Sequence, residues 1–264
     1  MKKVISLFIC SILLITLCAC SGKSSPDNSP AFNYEEVHYT QDFKNSEGKV
    51  ISRLDMTYPN VKVKDNEDAQ ERIAKNFEEY KQAKILQLEK NVDSLNEFKE
   101  RFSIEGVTIM KITYSYFYGG DTVLSFIMSV AEGTDPTSAD PSFEAMTFSL
   151  ADGIRLSLPA LYLDGKDYAK ELLMSKIRIR ANETYSENGA ALSDSQIELL
   201  DSLFNERNFV CTDDVILFLY PYSVLSSGTR QGIYYCDLSF AELEDFIISP
   251  YEYYENNNNP VQAD

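Results

Sequence analysis

The residues that could do chemistry in this chain are few and scattered. The sole histidine, His38, lies in Glu35-Glu36-Val37-His38-Tyr39. One imidazole cannot build a zinc site without three further nitrogen or sulfur ligands, and no cysteine lies near it in sequence. Paired with an acid it could act as a general base, but an ordinary surface histidine is the expected reading. No Gly-x-Ser-x-Gly elbow, P-loop or Gly-x-Gly-x-x-Gly turn occurs. Paired carboxylates are unavoidable among 41 acids, so Asp213-Asp214, Asp135 and Asp140 carry no weight for glycosidase chemistry. A calcium loop would alternate oxygen ligands around a central glycine, and no such run occurs. Asp121, Asp135 and Asp140 could hold a weak ion only by meeting at one hairpin end. The expectation is no catalytic residue, no metal and no cofactor.

The tyrosines say more. Tyr114, Tyr116 and Tyr118 alternate along one strand, while Tyr220, Tyr222, Tyr234 and Tyr235 lie on or beside two later ones. Tyrosine joins a large apolar area to a polar tip and is favoured at recognition surfaces for proteins and sugars. Most of these rings are expected to pack inside the fold. The candidate ligand-binding group is Tyr118, Gly119, Gly120 and Asp121, with Tyr220 and Tyr222 beside them near loop ends.

These residues must be positioned by strands. Residues 108–130 read as two strand-forming runs about Gly119-Gly120-Asp121, the strongest hairpin signal in the chain. Met110, Ile112, Tyr114, Tyr116 and Tyr118 are expected on one face, and Leu124, Phe126, Met128 and Val130 alternate with Val123, Ser125, Ile127 and Ser129 on the second run. Before the hairpin, residues 33–43 and 50–59 read as strands, the second ended by Pro59. Asp65-Asn66-Glu67-Asp68 then supplies a cap and an acidic first turn for a long amphipathic helix through Ile73, Phe77, Tyr80, Leu88, Val92 and Leu95, with a break near 91–94.

After the hairpin, 132–142 is a loop of turn residues. Strands are expected at 143–150 and at 154–158, where Pro159 ends the second. A helix through Tyr168, Leu172, Leu173, Ile177 and Ile179 follows. Ser193-Asp194-Ser195-Gln196 reads as a capping box, 208–212, 215–220 and 232–238 as three more strands, and 240–246 as a helical turn. The last two strands are apolar on both faces, which places them inside the sheet. The sum is an α+β fold, a largely antiparallel sheet with helices packed on it, in two parts: 34–120 and a sheet-rich 121–248. The segment 249–264, acidic and rich in asparagine, is expected to be a disordered tail.

Composition gives an address. Lys2 and Lys3 precede an apolar run that ends in Leu17-Cys18-Ala19-Cys20. That run is too short to span a bilayer and reads as an export signal over 1–19. Its ending resembles the lipobox of bacterial lipoproteins, so Cys20 is the expected lipidation site and 20–33 a flexible tether. The formal charge is −17, and removal of 1–19 takes away two lysines and no acid, leaving −19. So acidic a body is repelled by phosphate backbones, which excludes nucleic acid, while cationic partners are allowed. Cys211 and Cys236 remain, too few for a disulfide scaffold. They are expected on strands flanking a common neighbour, too far apart to bridge.

Tyr114-x-Tyr116-x-Tyr118-Gly119-Gly120, then Phe148-Ser149-Leu150-Ala151-Asp152-Gly153-Ile154-Arg155-Leu156-Ser157-Leu158 and Phe209…Tyr220-Pro221-Tyr222…Gly228…Ile233…Leu238, resemble a family of extracytoplasmic domains of unknown function. Such domains form the outer part of RsiV-like anti-sigma factors, which bind lysozyme, and the N-terminal part of PdaC-like peptidoglycan deacetylases; many relatives are stand-alone lipoproteins. The resemblance spans about residues 34–246 and implies a two-part α+β fold. The family usually continues its double glycine with Ala-His, and Asp121-Thr122 stands here instead, so any role of that histidine is absent. The relatives' deacetylase chemistry sits in a separate metal-binding domain not found in this sequence. The expected function is a non-enzymatic lipid-anchored protein, on the periplasmic or outer face of a bacterial envelope membrane. Its expected ligand is a basic protein such as lysozyme, or cell-wall glycan; an enzyme or accessory module acting on peptidoglycan is the alternative. Once cleaved, it would leave no cytoplasmic part to hold a sigma factor.

Overall fold

The computed structural model describes residues 31–163, 168–186, 191–212, 214–225 and 232–250. The signal segment, Cys20 and most of the tether lie outside them, as does the tail beyond Pro250. Two sheets carry the fold. The first has five strands in the order β1 (Phe32–Lys44), β2 (Val50–Val63), β3 (Thr108–Gly119), β4 (Val123–Gly133) and β5 (Ser142–Ser149). All neighbours are antiparallel except β2 and β3, which run parallel over Ser52–Met56 and are joined by α1 (Glu67–Arg101). The second sheet orders β6 (Phe209–Cys211), β7 (Val215–Pro221) and β8 (Ile233–Ser239), all antiparallel. The α+β class and the mainly antiparallel pairing are those expected. The expected division at Gly120 falls inside the β3–β4 hairpin, because β4 and β5 hydrogen-bond into the first sheet.

Four layers result. Helix α1 covers one face of the first sheet, where Ile73, Phe77, Ile85 and Leu88 pack on Leu54, Met56, Met110, Ile112, Phe126 and Phe148. The second sheet lies against the opposite face through Ile127, Ala145, Val210 and Leu219. Helices α3 (Ala169–Ser186) and α4 (Asp194–Ser202) close its outer side over Phe209, Ile216, Phe218 and Leu238. Residues 123–128 of β4, covered on both faces, are therefore buried without alternation.

Hydroxyls stitch the two sheets together. Ser125 Oγ donates to Cys211 O at 3.2 Å and accepts from Cys211 N at 3.3 Å. Thr147 Oγ1 donates to Phe209 O at 2.8 Å and lies 3.1 Å from Ser125 Oγ. Asn208 Oδ1 accepts from Ala145 N. Ser125 on the mixed face of the hairpin and Thr147 on β5 thus satisfy the edge of β6, whose backbone would otherwise be buried unpaired.

Helix α1 begins where the acidic segment indicated. Asn66 Oδ1 accepts from Ala69 N at 3.1 Å, while Asn66 Nδ2 donates to Ala151 O at 2.8 Å and so ties the helix start to the turn after β5. Gly153 (φ +71°) lets that turn close, since a β-carbon there would lie 2.2 Å from Ala69 O. The helix runs unbroken through 91–94, because Asn91, Asp93 and Ser94 face solvent and cost only weak propensity.

Other elements depart from expectation for identifiable reasons. Pro59 pairs with Glu36 inside β2 instead of ending it. Beyond Met56 no β3 residue pairs with β2, so the stretch around Pro59 is an edge on that side and tolerates a missing N–H. Residues 154–157 form an irregular return with one bridge, Arg155 to Phe148, and Pro159 lies in the first turn of α2 (Leu158–Leu161), where proline is favoured. Helix α3 buries Leu173, Met174, Ile177 and Ala181, leaving Tyr168, Leu172 and Ile179 exposed. Strand β8 is an outer strand, not an inner one. The Ser193 capping box is present, and Ser239 makes a second with Glu242 ahead of α5 (Phe240–Leu243). Cys211 and Cys236 flank β7, both buried and unbridged.

Candidate functional site

The hairpin joining β3 to β4 closes as its sequence requires, with Gly120 N donating to Val123 O at 3.0 Å. Three residues upstream the alternation breaks. Tyr116 pairs with Phe126 and Tyr118 with Ser125, so Phe117 is the extra residue of a bulge. Tyr118 is thereby turned away from Tyr114 and Tyr116 and packs against the core under α3 and α4. Tyr220 and Tyr222 pack on that same core, so the three tyrosines are gathered against it, Tyr220 buried and Tyr118 and Tyr222 half-buried. Tyr220 is only 2% exposed and stacks on Tyr234 at 6.4 Å. Its hydroxyl has no hydrogen-bond partner among the described residues, and burial pushes its phenol far up. Tyr222 opens a 3₁₀ turn, Tyr222–Val224, and its N–H donates to Gly232 O at 2.9 Å.

A different set of rings faces outward at the same hairpin. Phe32 and Tyr34, at the start of β1, reach rings of β3 and β4 beside the core that α1 covers. Tyr34 stacks on Tyr116 at 5.8 Å and 25°, and meets Tyr114 and Phe126 edge-on at 6.1 and 5.8 Å. Phe32 packs on Tyr116 at 6.1 Å. Tyr34 and Tyr116 stay 39% and 42% exposed, so the stack has a solvent face. Gly119 belongs to this cluster by contact, because the Phe32 ring occupies the space a side chain would need.

One acid, Glu36, acts on the cluster, and its neighbour Glu35 is paired away from it. Glu35 pairs with Lys62 at 3.0 Å, and Glu36 lies 2.8 Å from His38 Nε2, whose other ring nitrogen meets Thr57 Oγ1 at 3.0 Å. His38 is thus the surface histidine expected. Burial, then the charge of Glu36 and the neighbouring Tyr34, hold the Tyr114 phenol above its ordinary value. Tyr116 is raised by burial and by Tyr34, against a backbone hydrogen bond from Gly119. Flat rings beside carboxylates can receive a cationic side chain or stack a sugar ring.

The three aspartates do not meet. Asp121 follows β3 whereas Asp135 and Asp140 follow β4, at the other end of an 11-residue strand. Asp135 is engaged in its own turn, where Thr137 and Ser138 hold its carboxyl below the usual range. Among the described residues no group of three His, Cys, Asp or Glu could hold a metal ion, and no helix is long and apolar enough to cross a membrane.

No family model matches the sequence, and no curated protein matches it. Solved structures do. A member of the DUF3298 family from Bacteroides fragilis superposes with a TM-score of 0.53 at 14% identity, over 88% of this chain and 100% of its own. A DUF3298 family protein from Pseudomonas aeruginosa gives a TM-score of 0.48 at 10% identity, over 83% of this chain and 96% of its own. The first likeness shows a shared fold.

Proposed function

We propose that this chain is a non-enzymatic, lipid-anchored protein of the bacterial cell envelope that binds a cationic protein of the lysozyme kind. The observation that carries the reading is the exposed Tyr34–Tyr116 stack, with the charge of Glu36 acting on the adjoining Tyr114. Aromatic anchors are enriched among the residues that carry protein–protein binding. The lipobox-like Leu17-Cys18-Ala19-Cys20 supports the anchor, and the formal charge of −17 supports a basic partner. The fold shared with a DUF3298 family member supports the α+β body of this reading and no more.

Lysozyme and muropeptides, titrated separately with product analysis, test the reading. Lysozyme is expected to bind at micromolar concentration, with an association rate that falls steeply as salt shortens the screening length to about 8 Å. Tyr34→Ala or Tyr116→Ala should raise the dissociation rate about tenfold. Binding of muropeptides alone would replace the protein ligand by glycan, and release of a cleaved product would make the chain an enzyme. The anchor is tested by Cys20→Ala, which should no longer incorporate labelled fatty acid, while Cys10→Ala should still do so.

A further inference from the structure

The other end of the first sheet holds a cavity that the aromatic stack does not touch. Its volume is about 420 Å³, within the range of small-molecule sites, and it opens where α1 ends and β3 begins. Lys99 lines it and is only 7% exposed. Lys99 Nζ donates to Gly106 O and, at 3.2 Å, to Thr108 Oγ1, and no carboxylate lies within ion-pair distance of it among the described residues. A buried ammonium has three protons to place and needs a counter-charge, so this group is under-served. Lys49 lines the same cavity and adds a second positive charge. Burial first, then the charge of Lys49, hold the Lys99 ammonium below its ordinary value.

The remaining walls have a definite chemistry. Val50, Ile51, Ile104 and Val107 are apolar, while Glu100 and Glu105 stand exposed at the rim, with Glu100 accepting from Asn96 Nδ2 at 2.9 Å. The rim is already built: Ser103 takes φ +52° to end the helix, and Ile104 N donates to Lys99 O at 2.9 Å. A preformed cavity avoids the cost of ordering its loop on binding. Inorganic phosphate would suit the two lysines but not the apolar walls and acidic rim. A small zwitterion with an apolar body suits all three.

We propose that this cavity binds a short peptide through its free C-terminus, the carboxylate against Lys99 and Lys49 and the ammonium at the Glu100–Glu105 rim. The site lies at the opposite end of β3 from the tyrosine stack, so it stands or falls independently of the lysozyme reading. The chain needs no chemistry there beyond charge-assisted hydrogen bonds to the carboxylate.

The test is calorimetric titration of the purified chain with the dipeptide Ala-Ala, its C-terminal amide and its N-acetyl form. Ala-Ala should saturate with a Kd of about 0.1–1 mM, the amide should bind at least about tenfold more weakly, and the N-acetyl form should lose a smaller factor. Lys99→Met should abolish binding. Lys49→Ala, on an exposed side chain, should weaken it about threefold to tenfold and decides the matter should Lys99→Met fail to fold. Absence of saturation up to about 10 mM, equal binding of acid and amide, or unchanged affinity in Lys49→Ala would overturn the site and leave Lys99 as a strut of the turn. Undiminished binding of the N-acetyl form would overturn the role of the rim.

Discussion

Phe32 Cζ lies 2.2 Å from where a β-carbon on Gly119 would stand. The contact joins the first residue of β1 to the last of β3, two strands that have β2 between them in the sheet. Gly119 is therefore required for close approach and not for backbone freedom. Gly119→Ala should destabilise the fold by about 1–3 kcal/mol, at the low end because the obstructing atoms are the tip of a ring that can swing. In a Phe32→Ala background the same substitution should cost less, and a double-mutant cycle by urea denaturation should return the difference as a coupling energy. Equal costs in both backgrounds would refute the contact.

Ser125 is expected to matter more than its size suggests. Ser125→Ala removes a hydroxyl bonded to both the N–H and the C=O of Cys211, leaving buried backbone groups unpaired. The cost should be about 1–3 kcal/mol. Ser129→Ala, further along β4 and only half-buried, is the control and should stay within about 0.5 kcal/mol. Similar melting shifts for the two would mean that the seam between the sheets does not depend on the hydroxyl.

Stability should fall in alkali. Burial pushes the Cys236 thiol up to about 12, against a hydrogen bond from Tyr234 that pulls it down. An unfolded cysteine titrates near pH 8.5, so the folded state prefers the neutral thiol. Its contribution is complete below pH about 8.5 and is lost as pH rises toward 12, at up to about 1.4 kcal/mol per pH unit. The buried phenols of Tyr220 and Tyr234, also raised by burial, act in the same direction above pH about 10. Urea midpoints measured from pH 7 to 10 should therefore decline, and Cys236→Ala should flatten the first part of the decline. A slope unaffected by that substitution would show that the thiol titrates normally in the folded chain.

Local chemistry was legible in the sequence wherever one short segment decides the outcome. The Gly119-Gly120 hairpin, the Asn66 cap, the Ser193 capping box and the three closing strands each rest on contiguous residues. The separation of Cys211 and Cys236 followed from strand order alone. What escaped depends on partners remote in sequence. The bulge at Phe117 turns Tyr118 inward, and nothing in an unbroken run of alternating tyrosines marks it. Tyr34 meets Tyr116 although β2 lies between their strands in the sheet, a contact that no local sequence pattern marks. Lys99 looked like one more polar residue on an amphipathic helix, since its burial is imposed by the loop that folds back over it.

The parallel pairing of β2 with β3 also bears on how quickly the chain reaches this state. No tight turn can bring Leu54 opposite Met110; the strands meet only after the 35-residue helix between them has been laid down and packed. Such non-local closure is slow, because chain entropy is lost before any ladder bond repays it. On that account α1 is expected in the folding nucleus, with the outer three-stranded sheet added later. Ile85→Val within α1 should therefore slow refolding in stopped-flow measurements, whereas Leu238→Val on β8 should chiefly speed unfolding. If the two substitutions exchange these effects, the outer sheet forms first and α1 docks onto it.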